Sequence, residues 1–203
     1  YFDKDITGYT YNLKKANQLL DKAGYKKKGT YRVRPNGKPL TIHLAATTGS
    51  STQEPIIRNY IQQWKKIGLN VKLTGGRLME SNSFIDKVQN DSKDIDVFMS
   101  GWSLSSEPSP NDLYNEKAPF NFTRFVTKKN TQLLDEMDSQ KAFNTKYRVD
   151  KFHEWQKYMF DQAYVVPTVN AYSIQAINSK ITGYSLKPSQ GNNGFPLWYK
   201  VGY

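Results

Sequence analysis

The sequence predicts an α/β fold in which a mixed, mostly parallel sheet is flanked by helices. Three observations lead there. Residues 40–74 read strand, helix, strand, an order that joins parallel neighbours through a crossover. A third, strongly apolar strand is expected at 95–100, after another amphipathic stretch. Helices with one apolar stripe each stand before and after this block, so both faces of a sheet have something to cover them.

The first helix is expected at 12–23. Leu13, Ala16, Leu19, Leu20 and Ala23 recur at the spacing of one buried face, Asn12 caps the start, and Gly24 takes the left-handed position after the end. A basic, turn-rich stretch follows, with Pro35-Asn36-Gly37 as a tight turn and residues 30–34 as one arm of a hairpin. Residues 40–46 alternate as a strand, and Thr47-Thr48-Gly49-Ser50 forms a loop of small residues. Ser51 with Glu54 reads as a capping box opening a second helix. Ile57, Tyr60, Ile61, Trp64 and Ile67 make its apolar face, and Gly68 ends it. Residues 69–74 are the second strand.

A short helix is expected at 79–88 with Phe84, Ile85 and Val88 inward, then the strand at 95–100. The following loop, Gly101-Trp102-Ser103-Leu104-Ser105-Ser106-Glu107-Pro108-Ser109-Pro110, is too rich in serine and proline to be regular. Helices at 131–141 (Leu133, Leu134 and Met137 buried) and 145–163 (Phe152, Trp155 and Met159 buried) come next. Val165-Val166-Pro167 reads as a short strand with an edge proline, and residues 198–201 as a final one. The whole chain, 1–203, reads as a single α/β lobe.

Composition narrows the function. With no Cys, disulfides, thiolate metal sites and thiol nucleophiles are excluded. Two histidines, His43 in a strand and His153 on a helix, leave little for a triad or a metal site, and both read as structural. The carboxylates available for a catalytic pair, Asp91, Asp94, Asp96, Glu107 and Asp112, sit in or near turns, where Asp caps and initiates loops. Gly75-Gly76 lacks the rest of a phosphate cradle. An enzyme is therefore not expected. The 29 Lys+Arg against 18 Asp+Glu give a net charge of +11. Only six of those cations are Arg, and the lysines are scattered, so a solvated surface is the simpler account and a nucleic-acid or membrane-surface module the remoter one. No apolar run reaches the ~18–20 residues of a membrane span. A chain that begins at Tyr1 reads as a mature or excised piece of something longer.

Two loops stand out as a binding site. Thr47, Thr48, Gly49 and Ser50 follow one predicted strand; Gly101, Trp102, Ser103, Leu104, Ser105, Ser106 and Glu107 follow another. If the strands are parallel, both loops open on one edge of the sheet, where open α/β folds bind ligands. The first precedes a helix N-terminus, with free N–H groups and hydroxyls. The second offers an indole, hydroxyls and a carboxylate, suited to hydrogen-bonding an extended backbone beside one flat apolar surface. The competing reading makes Trp102 a core plug and the serines a solvated turn.

Three segments carry a family likeness. They are Leu19-Leu20-Asp21-Lys22-Ala23-Gly24 closing the first helix; Asn36-Gly37-Lys38-Pro39-Leu40-Thr41-Ile42 with the junction Trp64-Lys65-Lys66-Ile67-Gly68-Leu69-Asn70-Val71; and Asp96-Val97-Phe98-Met99-Ser100-Gly101-Trp102 through Pro110. Together they resemble the C-terminal lobe, domain III, of the bacterial extracellular solute-binding proteins of family 5, the peptide receptors of ABC importers. The resemblance implies a periplasmic-binding-protein-like type II lobe, with residues 185–203 returning toward a second lobe. It implies an oligopeptide captured between two lobes, ABC permease subunits as partners, no cofactor and no nucleic acid. It also implies a place outside the cell membrane or in the periplasm, with membrane contact only through a lipid anchor outside this chain. An oligosaccharide, haem or metal chelate is the rival ligand class. Where several family members pair an Asp with the peptide ammonium, this loop reads Ser105-Ser106-Glu107. Either Glu107 takes that role or the ammonium is not read by charge.

Overall fold

The computed structural model describes residues 1–103, 107–170, 174 and 176–183. The chain divides into two units, Tyr1–Val166 and Pro167–Tyr203. In the second, Asn178 closes a turn, its side chain accepting the Lys180 N–H at 3.0 Å. The strand expected at 198–201 and the return segment 185–203 lie outside the described residues.

In the first unit, Asn12 caps α1 (Leu13–Lys22) by accepting the Lys15 N–H at 2.8 Å. Gly24, at φ +87°, ends it as expected. The expected apolar stripe does not form a core, however. Leu13, Ala16 and Leu20 are half-buried, Ala23 is exposed and Leu19 is 58% exposed. Alongside these half-buried side chains α1 presents polar ones, and Asn17 and Asp21 both bind Arg32.

Arg32 is only 2% exposed. Its guanidinium donates to Asp21 Oδ1 at 2.8 Å, Asn17 Oδ1 at 2.6 Å, the Ile67 carbonyl at 2.7 Å and the Tyr25 carbonyl. It sits on a ribbon of two short antiparallel strands, β1 (Lys27–Lys28) and β2 (Tyr31–Arg32), with Lys27 opposite Arg32. Beyond β2 the Asn36-Gly37 turn is closed by Gly37 N–H on the Arg34 carbonyl at 2.8 Å and a Val33–Pro39 bridge. One buried cation thus ties α1, the ribbon and the following helix end together, and fully paired it meets the condition for burying a charge.

β3 (Thr41–Ala45), α2 (Gln53–Lys66) and β4 (Asn70–Leu73) form the crossover the sequence predicted. Thr41 lies opposite Asn70 and Leu44 opposite Leu73, in parallel register. The capping box is absent: α2 begins after Thr52 with no side-chain cap, and Glu54 bonds Arg58 one turn on instead. Ile57 is buried, with Ile61 and Trp64 packed around it. Gly68, at φ +83°, ends the helix, and a Cβ there would meet Arg32 Cγ at 3.2 Å. Glu80 caps α3 (Ser81–Gln89) through bonds from the Asn82 and Ser83 N–H groups. The helix therefore starts two residues later than expected, since Met79 is held against Thr47. Phe84 and Val88 are buried, whereas Ile85, expected inward, is 47% exposed. β5 (Val97–Phe98) is shorter than 95–100 because β3, its partner, stops at Ala45 opposite Phe98.

The strand order is β4-β3-β5, all parallel. Alternation along β3 sends Leu44 to the α2 side with Ile57 and Val71, and Ala45 to the α3 side with Phe84 and Val88. Both faces are covered, as an α/β layer requires.

A helical layer completes the unit: α4 (Asn111–Tyr114), α5 (Lys128–Met137) and α6 (Thr145–Gln162). α5 begins three residues before the expected 131 because Thr127 caps it, accepting the Asn130 N–H at 3.0 Å. It yields to a 3-10 turn at 140–143. Leu134, Met137 and Phe152 pack with Tyr114 and Trp155. Fully buried Asn130 donates to the Tyr114 carbonyl at 2.8 Å and accepts the Trp155 Nε1–H at 2.9 Å. Asn130→Leu strands both partners, and we expect a loss of about 1–3 kcal/mol in denaturant unfolding; a loss under about 0.5 kcal/mol would contradict this. The strand expected at 165–167 is not formed, and Val166 is exposed.

Lys151 on α6 pairs with Glu136 of α5 at 2.5 Å and with Glu154 at 3.2 Å, while Lys129 also holds Glu154. Lys151 and Lys129 hold the two carboxyls below the ordinary Glu range, chiefly through hydrogen bonds to their ammonium groups. Glu136 and Glu154 in turn raise the Lys151 ammonium above the usual lysine value. A depressed carboxyl stabilises the fold above its unfolded pKa, and that contribution is lost as pH falls through the folded value. Stability is therefore expected to hold near neutrality and to fall below about pH 4.3. Thermal unfolding followed down to pH 3 should show a shallower fall for Glu136→Gln; an identical fall would refute the assignment.

Candidate functional site

The order β4-β3-β5 contains a reversal. From β3 the chain crosses to β4 on one side, then returns past β3 to β5 on the other. At such a switch point the loops after the two strands diverge and leave a crevice at the carboxyl edge. The two loops are those picked out in the sequence. Thr47 follows β3 and Gly101 follows β5, on the same edge of parallel neighbours.

In the first loop Thr47 is half-buried and Thr48, Gly49 and Ser50 are exposed. Gly49 takes φ +99° with open space where a Cβ would be. The Thr48 N–H donates to the Met79 carbonyl at 2.7 Å, and Met79 N–H to the Ala46 carbonyl at 2.9 Å. The stretch before α3 thereby adds a third segment to the rim. Sequence reading missed it, since Met79 fits the helical period equally well. Ser50 Oγ lies 3.0 Å from Thr52 Oγ1. No hydrogen bond among the described residues occupies the Gly49 or Ser50 N–H.

In the second loop Gly101 and Ser103 are exposed, and a Cβ at Gly101 would meet nothing. Trp102 is 44% exposed, so it does not plug the core. Its ring centroid stands 5.5 Å from Phe120 and 5.6 Å from Phe122, and Phe120 is itself 46% exposed. The result is a three-ring apolar wall with the indole at its centre. Sequence reading did not find Phe120, which lies outside every motif and periodic stretch it used. Buried Asn121 fixes that turn, donating to the Asn115 carbonyl at 3.2 Å and accepting from Thr123 Oγ1 at 2.8 Å. Arg124 anchors it to α3 through the Val88 and Gln89 carbonyls at 3.1 and 2.8 Å. Leu104, Ser105 and Ser106 lie outside the described residues.

Glu107 is engaged. Arg148 Nη2 donates to its Oε1 at 2.5 Å, and the Ser109 N–H donates to the same oxygen at 3.2 Å. Arg148 also bonds Asp138 at 3.3 Å and the Met137 carbonyl at 3.2 Å, and Asp138 accepts from Ser109 Oγ at 2.5 Å. The loop's exit is thus fastened to the α5–α6 layer, while its tryptophan end stays open. The two histidines lie apart from this rim's chemistry. His43 on β3 contacts Asp96 at 3.2 Å, and His153 sits on α6. No helix among the described residues is long and apolar enough to cross a membrane.

The chain matches the family model described as bacterial extracellular solute-binding proteins, family 5 middle, over residues 1–124. It is 40% identical over 201 residues to the oligopeptide-binding protein OppA of Lactococcus lactis subsp. lactis strain IL1403, covering 97% of this chain and 33% of that protein. It is 26% identical over 200 residues to the oligopeptide-binding protein AppA of Bacillus subtilis strain 168, covering 97% and 36%. Its fold superposes on lactococcal OppA, complexed with an endogenous peptide in the closed conformation, at TM-score 0.85 with 37% identity, over 100% of this chain and 38% of that one. Bacillus subtilis AppA in complex with a nonapeptide shares the fold at TM-score 0.69 with 23% identity, over 80% and 32%. The chain spans about a third of the length of the relatives it matches.

Proposed function

The chain belongs to the family 5 bacterial extracellular solute-binding proteins, and from that membership we propose that it forms one lobe of a receptor that captures oligopeptides for an ABC importer. The observation that carries this reading is the shared carboxyl edge of parallel β3 and β5, with an open Gly49-Ser50 backbone after one strand and a half-exposed Trp102 after the other. Unbonded N–H groups and hydroxyls suit the backbone of an extended peptide, and the three-ring wall suits whichever apolar side chain it presents. Thr47, Thr48, Gly49 and Ser50 form one jaw edge; Gly101, Trp102, Ser103, Leu104, Ser105, Ser106 and Glu107 form the other. Because Arg148 occupies Glu107, the carboxylate orders the loop in this lobe rather than waiting bare for an ammonium.

The second lobe supplies the opposite wall, so ligand is held by hinge closure and this lobe alone binds feebly. Permease subunits receive the loaded receptor, and a lipid anchor outside this chain holds it at the outer face of the membrane. OppA and AppA, named as oligopeptide-binding proteins, support the substrate class. Calorimetry on the intact receptor with peptides of graded length tests it. Saturable heat with peptides and none with mannohexaose is expected; no heat with peptides of any length, or heat with the oligosaccharide alone, would overturn it.

A further inference from the structure

The net charge of the chain is unevenly placed. Residues 1–72 hold 14 Lys+Arg against 4 Asp+Glu, a balance of +10, and the rest of the chain adds only +1. The excess gathers in space around the buried Arg32. Lys22 closes α1, Lys26, Lys27 and Lys28 form the ribbon edge, and Lys65 and Lys66 close α2. Arg32 bonds Asp21, Tyr25 and Ile67, residues that adjoin all three groups. Lys27 Cε comes within 3.6 Å of where a Gly68 Cβ would stand. All six side chains are exposed, and none pairs with a carboxylate among the described residues. Arg34 and Lys38, also exposed, extend the patch along the next turn.

Helix C-termini favour cations, which accounts for Lys22, Lys65 and Lys66. It does not account for three consecutive lysines, two of them on β1 and one just before it, nor for Arg34 and Lys38. The position matters too. α2 starts at the rim of the candidate crevice and ends at the opposite edge of the sheet, about 20 Å away for its 14 residues. The basic patch therefore occupies the pole of the lobe facing away from the crevice.

We propose that this pole is a docking surface for an anionic phospholipid membrane, which would hold the receptor by its back with the crevice open. It goes beyond the peptide-binding reading and revises the expectation that an anchor is the only membrane contact. Strong local charge with no carboxylate partner is complementary to a sheet of phosphate headgroups, each lysine near such a surface strengthening attachment about fivefold. Lysine predominates in the patch, with Arg34 its one exposed arginine, and a flexible point charge suits a sheet of headgroups where an arginine fork would suit bidentate recognition. The extracellular family places a membrane surface beside the protein.

Co-sedimentation of the whole receptor, made without lipid modification, with vesicles tests this. Binding is expected to equimolar phosphatidylglycerol and phosphatidylcholine at 100 mM salt, not to pure phosphatidylcholine, and to be abolished at 500 mM salt. The quartet Lys27→Gln, Lys28→Gln, Lys65→Gln and Lys66→Gln should weaken it tenfold or more. The control quartet Lys93→Gln, Lys117→Gln, Lys141→Gln and Lys157→Gln, equal in charge change, should weaken it less than threefold. Unchanged peptide affinity in both quartets keeps the result separate from the crevice. No vesicle binding by the wild type, equal loss from both quartets, or tighter retention on duplex DNA than on anionic vesicles would overturn the proposal.

Discussion

Arg32→Ala is expected to lower the unfolding free energy by about 3–5 kcal/mol. The side chain is fully enclosed, and its removal leaves the Ile67 and Tyr25 carbonyls and Asn17 without their donor. Asp21 is half-exposed and can turn to water, so the loss comes from the stranded, half-buried acceptors and the space left behind rather than from the carboxylate. Arg32→Lys separates charge from geometry. A single ammonium cannot reach Asp21, Asn17 and two carbonyls at once, so most of the loss should remain. The Arg32 guanidinium also holds the Asp21 carboxyl below its ordinary value. Part of the fall in stability below about pH 4 should therefore vanish in Arg32→Ala. Equilibrium denaturation reads each of these; a loss below about 1 kcal/mol for alanine would show that the helix and ribbon hold without this link.

Trp102→Ala in the intact receptor is expected to weaken peptide binding by about 1–3 kcal/mol, roughly 5- to 150-fold in Kd. The same change should lower stability by no more than about 1–2 kcal/mol, since nearly half of the indole already faces solvent and its ring partners Phe120 and Phe122 stand at T-shaped and tilted angles. Phe120→Ala should act in the same direction and more weakly, because it supports the wall rather than forming its centre. Calorimetry and thermal melts on the same samples separate the two roles. Unchanged affinity with a large drop in melting temperature would return Trp102 to the core.

Much of this architecture is legible in the residues. The crossover 40–74 is read correctly because two short apolar strands and a one-faced helix leave few alternatives, and the carboxyl-edge placement of both loops follows from it. α6 is legible for the same reason, being long and periodic with Phe152 and Met159 inward. Two of the misreadings share a cause: they arise where polar groups do the work assigned to apolar ones or to a cap. The periodicity of α1 points to a leucine stripe, yet its inward face binds a buried guanidinium contributed by a different element, and no local pattern announces that partner. Ser51 and Glu54 stand at capping-box spacing, but Arg58 competes for the carboxylate. The rim has the same character. Trp102 is conspicuous, whereas Phe120 and Met79 join the site only through tertiary pairing that a linear pattern does not encode.

The first nine residues run along α6, with Tyr1 against Phe152 at 4.6 Å, Asp3 N–H on Gln156 at 3.1 Å and Tyr9 stacked on Phe160 at 4.3 Å. The two partners of this clasp are some 150 positions apart in the chain. On a ribosome, the opening segment must therefore wait for nearly the entire unit to emerge before it finds its seat. Closing so long a loop is slow relative to local helix formation, so this clasp should be among the last parts of the unit to set.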